Sequence, residues 1–340
     1  MKILIDNCVP LNNGDAALIF GLGEEIEKKH SVKYVTFNYS EAKVRYPNKS
    51  WIRSSLDNKL IMKIPFLREL YIFCLVVLNP KSEYKKCDAI ISAPGGYVNS
   101  YYGFKNKLFL LYICKKFLNK KIMIYSQSIG PLTKKDEKNF KRYIKKFDLV
   151  YVRDDISYSR ALALSEVDNI IQTKDAAFLI KNSVFHMKET KKVAISVRNW
   201  SFDDRNIEKY YNIIDTIVES SLKRGYRIIF LSTCQGLSDY VDDSQVAREF
   251  IATKYSDNNN VTLDDRYYTL DELKEKLADF DYVFGTRLHM CILSLISGVP
   301  AFNISYEEKG KECYNYLGLE RFTIDYNEVN DIHQKLEEFL

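Results

Sequence analysis

The chain has 340 residues, 46% of them hydrophobic and 28% charged, which excludes disorder and points to roughly two soluble domains of 150 to 180 residues. Fifty basic residues against 45 acidic ones leave a net charge of only +5, and the lysines are scattered in short runs such as KKDEKNFKRYIKK (134–146). That balance argues against nucleic acid as a partner and fits solvated helix faces.

Seven cysteines (8, 74, 87, 114, 234, 291 and 313) show no metal-ligand spacing, and several sit inside apolar runs. They read as free thiols in a reducing cytoplasm, with no metal and no cofactor called for. The opening MKILIDNCVP reads as a short strand and a turn, not as a signal peptide.

In chain order, short apolar runs rich in β-branched and aromatic residues predict strands at 2–5, 32–37, 88–92, 121–126, 148–152 and 169–172. Helical patterns alternate with them at 14–29, 105–119, 135–147 and 155–165. After the polar stretch KNSVFHMKETKK (181–192) the rhythm restarts. It predicts strands at 192–197, 226–232, 260–263, 281–284, 300–304 and 322–324, and helices at 206–224, 239–254, 270–279, 289–297 and 309–317. Alternation of this kind implies an α/β protein with parallel sheets covered on both faces. The expected organisation is two doubly wound, Rossmann-like domains, residues 1–185 and 190–340, with a hinge between them. Residues 60–78 (LIMKIPFLRELYIFCLVVL) are too short and too broken by charge to span a bilayer. They read either as a core helix or as an interfacial foot, a peripheral contact with a membrane surface.

Doubly wound sheets bind ligands at the carboxyl ends of their strands. In the first half those ends carry Asn13-Gly14-Asp15, Gly95-Gly96, Gln127 and Arg153. Gly14 suits a tight turn and Asp15 a helix cap, while two adjacent glycines let the backbone approach a ligand. In the second half Arg198 follows a strand directly, and Arg287, Leu288 and His289 open the 289–297 helix. A helix amino end favours anions, so an arginine there suggests a bidentate anion clamp. Tyr306 and Lys309 follow the next strand.

The ordered set NNGDAAL, APGGYV, SQSIGPL, VRDDISYS, DAAFLI and FGTRLHMCILSLISGVPAFNISYEEKG, followed by YLGL, resembles the polysaccharide pyruvyl transferase family across residues 3 to 320. The resemblance implies a GT-B-like architecture. It also implies ketal transfer of pyruvate from phosphoenolpyruvate to two hydroxyls of a sugar, in a bacterial cell-surface glycan or its lipid-linked precursor. Phosphoenolpyruvate carries two anionic groups, and Arg198, Arg287, Leu288, Tyr306 and Lys309 form the expected donor site. His289 is the expected acid and Asp15 the base. Asn13, Gly95, Gly96, Gln127 and Arg153 are expected on the acceptor side, in the first domain. Two positions depart from the family's pattern: Ser126 stands where glycine is frequent, and Tyr97 where a small residue follows the glycine pair. The alternatives are a GT-B glycosyltransferase using a nucleotide sugar, with Glu307 or Glu308 gripping the ribose, and a non-catalytic glycan- or anion-binding protein.

Overall fold

A computed structural model describes residues 1–56, 61, 64–165, 168–181, 189–198, 206–235, 242–326, 328 and 331–340. Most of the expected hinge (182–188), residues 239–241 of one expected helix, Leu60, Met62 and Lys63 of the 60–78 segment, and the Glu308 side chain lie outside the described residues.

The chain divides into two compact units. The first comprises Met1–Leu11 and Leu18–Leu179; the second comprises Asn12–Ala17 and Ile180–Leu340. The segment 12–17, expected with the first domain, therefore clusters with the second. Asn13 explains why: its backbone N–H donates to the Thr233 carbonyl at 3.0 Å, and its side-chain amide donates to the Tyr268 carbonyl at 3.0 Å.

Strands of the first unit are β1 (Lys2–Cys8), β2 (Ser31–Thr36), β3 (Trp51–Arg53), β4 (Ala89–Ser92), β5 (Gly95–Val98), β6 (Lys121–Ile129), β7 (Leu149–Val152) and β8 (Ile170–Gln172). They form a parallel sheet ordered β3-β2-β1-β4-β6-β7-β8, with β5 also paired to β6. β1, β4 and β6 lie inside the sheet and carry apolar runs (Ile3, Leu4, Ile5; Ile90, Ile91; Ile122, Ile124), as strands covered on both faces do, before turning polar at their carboxyl ends. Two of these strands were missed by the sequence reading. β3 is only three residues long and carries no alternation, and β5 opens with the two glycines that read as a close approach to a ligand.

The second unit has β9 (Lys192–Ser196), β10 (Arg227–Leu231), β11 (Val261–Asp264), β12 (Tyr282–Gly285), β13 (Ala301–Ser305) and β14 (Thr323–Asp325). All pairings are parallel, in the order β11-β10-β9-β12-β13-β14. Taken from its first strand, this is the 3-2-1-4-5-6 order of a dinucleotide-binding fold, and strand direction of travel reverses between β9 and β12. The fold is thus α/β with two Rossmann-like units, GT-B-like in class.

A helix absent from the sequence reading, Ile332–Phe339, closes the core of this second unit. Phe339 packs edge-on against Tyr282, Phe284, Phe302 and Phe322, with ring centroids 5.2 to 5.5 Å away. The sequence there (IHQKLEEF) is short and mostly polar, so its pattern is weak, yet Ile332, Leu336 and Phe339 are buried. Phe339→Ala removes one ring from four contacts and should cost about 3 to 5 kcal/mol, read as a lowered urea midpoint of the second unit. A cost under about 1 kcal/mol would mean that this helix is not part of the core.

Candidate functional site

The two arginines of the second half leave adjacent strands at the same level. Ser196 at the end of β9 pairs in register with Gly285 at the end of β12, and the Thr286 N–H donates to the Ser196 carbonyl at 2.9 Å. The chain then continues into Val197-Arg198 on one strand and Thr286-Arg287 on the other. This is the point where the strand order reverses, the place for a ligand in such sheets. Tyr210, from the helix Ile207–Lys223, ties the two ends together. Its hydroxyl accepts from the Arg198 N–H at 3.0 Å and shares a hydrogen bond with Thr286 Oγ1 at 2.8 Å. Its ring stacks on Tyr326, centroids 4.1 Å apart and 6° from parallel.

Arg198 is 9% exposed, and its Nη1 donates to the Tyr306 hydroxyl. Its Cζ lies 4.5 Å from the Tyr306 ring centroid, a cation–π distance. Lys309 Nζ is 2.5 Å from Glu307 Oε2 and 5.8 Å from the same ring. Burial works against the Glu307 charge, but Lys309 and Arg198 outweigh it and hold the carboxyl below its usual range.

Arg287 differs most from its expectation as an open clamp. Its fork is already engaged: Nε donates to Asp243 Oδ2 at 2.6 Å and Nη2 to Oδ1 at 2.8 Å. The Asp243 side chain is only 1% exposed and that of Arg287 is 11% exposed. Burial works against both charges; for Arg287 the Asp243 carboxylate outweighs it and moves the guanidinium pKa up. A cation at a helix amino end is unfavourable unless compensated, and Asp243 compensates it. Asp243 was missed by the sequence reading, where Asp242-Asp243 was absorbed into a helix start. Asp242 is the cap, accepting from the Ser244 N–H, and Asp243 turns inward.

His289 stands in the first turn of the helix Leu288–Ile296, half-buried. The Leu288 side chain is buried. Gly14 lies directly against His289: a Cβ there would sit 2.8 Å from Nδ1 and 2.9 Å from the histidine Cβ. The glycine is required by this close approach and not by a turn, since it lies within the helix Asn13–Glu27. The cap of that helix is Asn12, whose side chain accepts from the Gly14 N–H at 2.8 Å, and not Asp15. Asp15 is left in the first turn, and its charge acts on the Cys234 thiol together with those of Arg287, Asp243 and Arg198. Burial pushes that thiol up to about 12, so Cys234 is an inert wall of the cluster. Asp15, His289, Arg198 and Arg287 thus belong to one unit.

In the first unit, the sheet order reverses between β1 and β4, whose ends carry Asp6-Asn7 and Ser92. Asn7 Nδ2 donates to Ser92 Oγ at 3.0 Å, and Ser92 bonds the Tyr97 hydroxyl. The expected acceptor residues nearby are occupied in holding the backbone. Gln127 Nε2 donates to the Gly95 carbonyl at 2.7 Å, and Asn99 Nδ2 donates to the Gly96 carbonyl at 2.6 Å. Arg153, its side chain 5% exposed, pairs with Asp175 at 2.7 Å and donates from Nε to Ser128 Oγ at 2.8 Å. The structure also accounts for Ser126 at a position where the family has glycine. Its φ is +48°, and its hydroxyl holds that strained backbone by accepting from Ala176 N–H at 2.9 Å and donating to the Lys174 carbonyl at 3.1 Å. Among the described residues, no three of His, Cys, Asp and Glu converge as metal ligands.

Two outcomes follow from these buried charges. Asp243→Ala leaves Arg287 without its counter-charge and should destabilise the protein by about 3 to 5 kcal/mol in urea unfolding; a neutral result would show that the pair is solvated. Asp6 is 2% exposed, and burial raises its carboxyl from 3.8 to about 6, against hydrogen bonds from Asn7 N–H and the Tyr84 hydroxyl. A carboxyl raised on folding contributes stability that is present below pH 3.8 and lost as pH rises through about 6, here about 3 kcal/mol. Asp6→Asn should therefore gain on the natural chain by about that much between pH 4 and 7, and a pH-independent difference would contradict the burial.

Comparison with known proteins follows the same residues. Residues 12–308 match the family described as polysaccharide pyruvyl transferase. The chain is 26% identical over 272 residues to the amylovoran biosynthesis protein AmsJ of Erwinia amylovora, an alignment covering 73% of this chain and 63% of that protein. In fold it is similar to a glycosyltransferase of Rickettsia africae (TM-score 0.64, 10% identity, 99% of this chain and 87% of that one). It is also similar to the UDP-GlcNAc 2-epimerase of Methanocaldococcus jannaschii (TM-score 0.59, 11% identity, 100% and 92%). The chain belongs to the polysaccharide pyruvyl transferase family.

Proposed function

We propose that the protein transfers pyruvate from phosphoenolpyruvate to two hydroxyls of one sugar, as a ketal, on a bacterial cell-surface polysaccharide or its lipid-linked precursor. The observation that carries this reading is the group of cations at the carboxyl ends of three neighbouring strands, Arg198 after β9, Arg287 after β12 and Lys309 after β13, with His289 beside them. A small donor with a carboxylate and a phosphate needs several charge-assisted contacts. Arg198 and Lys309 would meet one anionic group; the Nη1 edge of Arg287 and the backbone N–H of Leu288 would meet the other. Tyr306 positions Arg198 through its hydroxyl and ring.

In the reaction, His289 gives a proton to the methylene carbon while the first sugar hydroxyl adds to the central carbon and yields its proton to Asp15. The bond between the central carbon and the bridging oxygen then breaks, and phosphate leaves with the electron pair and the proton held by Asp15, which restores that carboxylate. The second hydroxyl adds to the resulting cation and returns a proton to His289. Atoms and charge balance with no further co-reactant. The acceptor residues proposed in the first unit are Gly95 and Gly96, whose carbonyls are held by Gln127 and Asn99, together with Gln127 and Arg153 themselves. Asn13 serves by fixing the 12–17 segment that carries Asp15. A nucleotide-sugar reading would call on Glu307 or Glu308 for a ribose; two arginines and a histidine at the strand ends favour a small donor with two anionic groups instead. We place the protein in the cytoplasm, working at the inner face of the membrane.

Variants separate these roles. Arg287→Lys keeps a charge for Asp243 but loses the planar fork, and should lower kcat/KM for phosphoenolpyruvate by about tenfold or more, with the fold retained. His289→Gln keeps a hydrogen-bond donor but cannot protonate carbon, and should lower kcat by at least about a hundredfold with KM little changed. Loss confined to KM would make His289 an anchor and place the acid elsewhere.

A further inference from the structure

The helix Pro65–Phe73 turns apolar side chains in two directions. Ile72 is fully buried, as is Val76 in the π-helical turn Cys74–Leu78 that follows, and both belong to the first unit's core. Phe66, Leu67 and Leu70 share another face of the helix and are 77%, 46% and 50% exposed, with Ile64 at 51% just before it. A core helix has no need of that second face, and its Phe and Leu residues lie too close together for scattered surface apolars. The ridge continues on the neighbouring helix Lys105–Leu118, which packs beside it. Phe73 meets Phe117 edge-on at 5.0 Å, and Phe117 is itself 47% exposed.

Charge around the ridge is in basic excess, although Lys115 is paired with Asp148 at 2.6 Å. From Phe104 to Lys121 the chain holds six lysines (105, 107, 115, 116, 120 and 121) and no acidic residue. Lys116 Nζ lies 5.2 Å from the Phe117 ring, so a cation flanks the apolar ridge directly. The next helix, Lys134–Ile144, packs on Lys105–Leu118 and adds Lys134, Lys135, Lys138, Lys141 and Arg142 against Asp136 and Glu137. Within the ridge, Glu69 is neutralised by Lys105 at 3.6 Å. Among the described residues, no helix is long and apolar enough to cross a membrane.

We propose that this face of the first unit, Ile64, Phe66, Leu67, Leu70 and Phe117 with Lys116 beside them, docks peripherally on an anionic bilayer. Aromatic and branched side chains enter the boundary between headgroups and acyl chains, and lysines beside them meet anionic headgroups. A protein partner would equally cover the apolar groups, but it would not explain a basic excess extending over two adjacent helices. The proposal is independent of the chemistry at the second unit, so pyruvyl transfer to a water-soluble acceptor can fail or survive without deciding it.

The test is flotation of the full chain with vesicles of neutral phosphatidylcholine alone or with added anionic phosphatidylglycerol. The natural chain should float with the anionic vesicles and not with the neutral ones. Phe66→Ser combined with Leu67→Ser should weaken that partition on the order of a hundredfold, while circular dichroism and thermal unfolding stay unchanged, as expected for exposed positions. Lys116→Glu should weaken it at low salt and have less effect at high salt. No flotation, equal flotation of the natural chain and the double serine variant, or equal binding to neutral vesicles would overturn the proposal. So would a concentration-dependent dimer in solution that the double variant abolishes, because a second copy would then be the occupant.

Discussion

The bidentate contact between Arg287 and Asp243 is the constraint on which the rest of the second unit's site depends. The sheet delivers Arg198 and Arg287 from neighbouring strands, and the helix Leu288–Ile296 adds the positive end of its dipole at the same place. Left alone, these like charges would repel and the site would be soft. A carboxylate 1% exposed, gripping Nε and Nη2 at once, fixes the arginine in one orientation and offsets part of its charge. Tyr210 performs the neutral counterpart of that task by fastening the backbone of Arg198 to Thr286. Donors held rigid in this way would be preorganised for the anion proposed above, and such preorganisation is how a site gains from electrostatics at low reorganisation cost.

A second constraint is the approach of Gly14 to His289. Because nothing larger than hydrogen fits at position 14, the first turn of the helix Asn13–Glu27 can lie against the imidazole and bring Asp15 into the field of the same cluster. Asn12–Ala17 clusters with the second unit and Leu18 onward with the first. The amino end of the helix is fixed by Asn13 to the Thr233 and Tyr268 carbonyls, and its apolar body (Leu18, Ile19, Phe20, Leu22) is buried.

Much of this was legible in the sequence, for physical reasons that differ from element to element. Buried parallel strands such as β1, β9 and β12 are runs of apolar residues between breakers, and they stand out. Arg198, Arg287 and His289 are recognisable because a polar group directly after such a strand is costly without a purpose. The short edge strand β3 and the glycine-led β5 have no pattern to read, and the Ile332–Phe339 helix is polar apart from the few positions that pack. Asp243 and Tyr210 were hidden for another reason. Asp243 lies 44 residues from Arg287 and Tyr210 lies 76 from Thr286, and a carboxylate or tyrosine on an amphipathic helix looks the same whether it faces water or a buried partner. Gln127 and Arg153 illustrate the converse: residue types suited to ligands, in the right place, that the structure spends on the Gly95 carbonyl and on Asp175.

The account rests on a donor with two anionic groups reacting at one carbon with two hydroxyls. Incubation of the purified protein with phosphoenolpyruvate and candidate glycans, free and lipid-linked, tests it most directly, with released phosphate and product mass followed together. The account predicts one phosphate released for each product molecule, and a product heavier by one pyruvate ketal that resists further modification at both hydroxyls. Phosphate release with only a single hydroxyl substituted, or turnover of a nucleotide sugar in place of phosphoenolpyruvate, would contradict it.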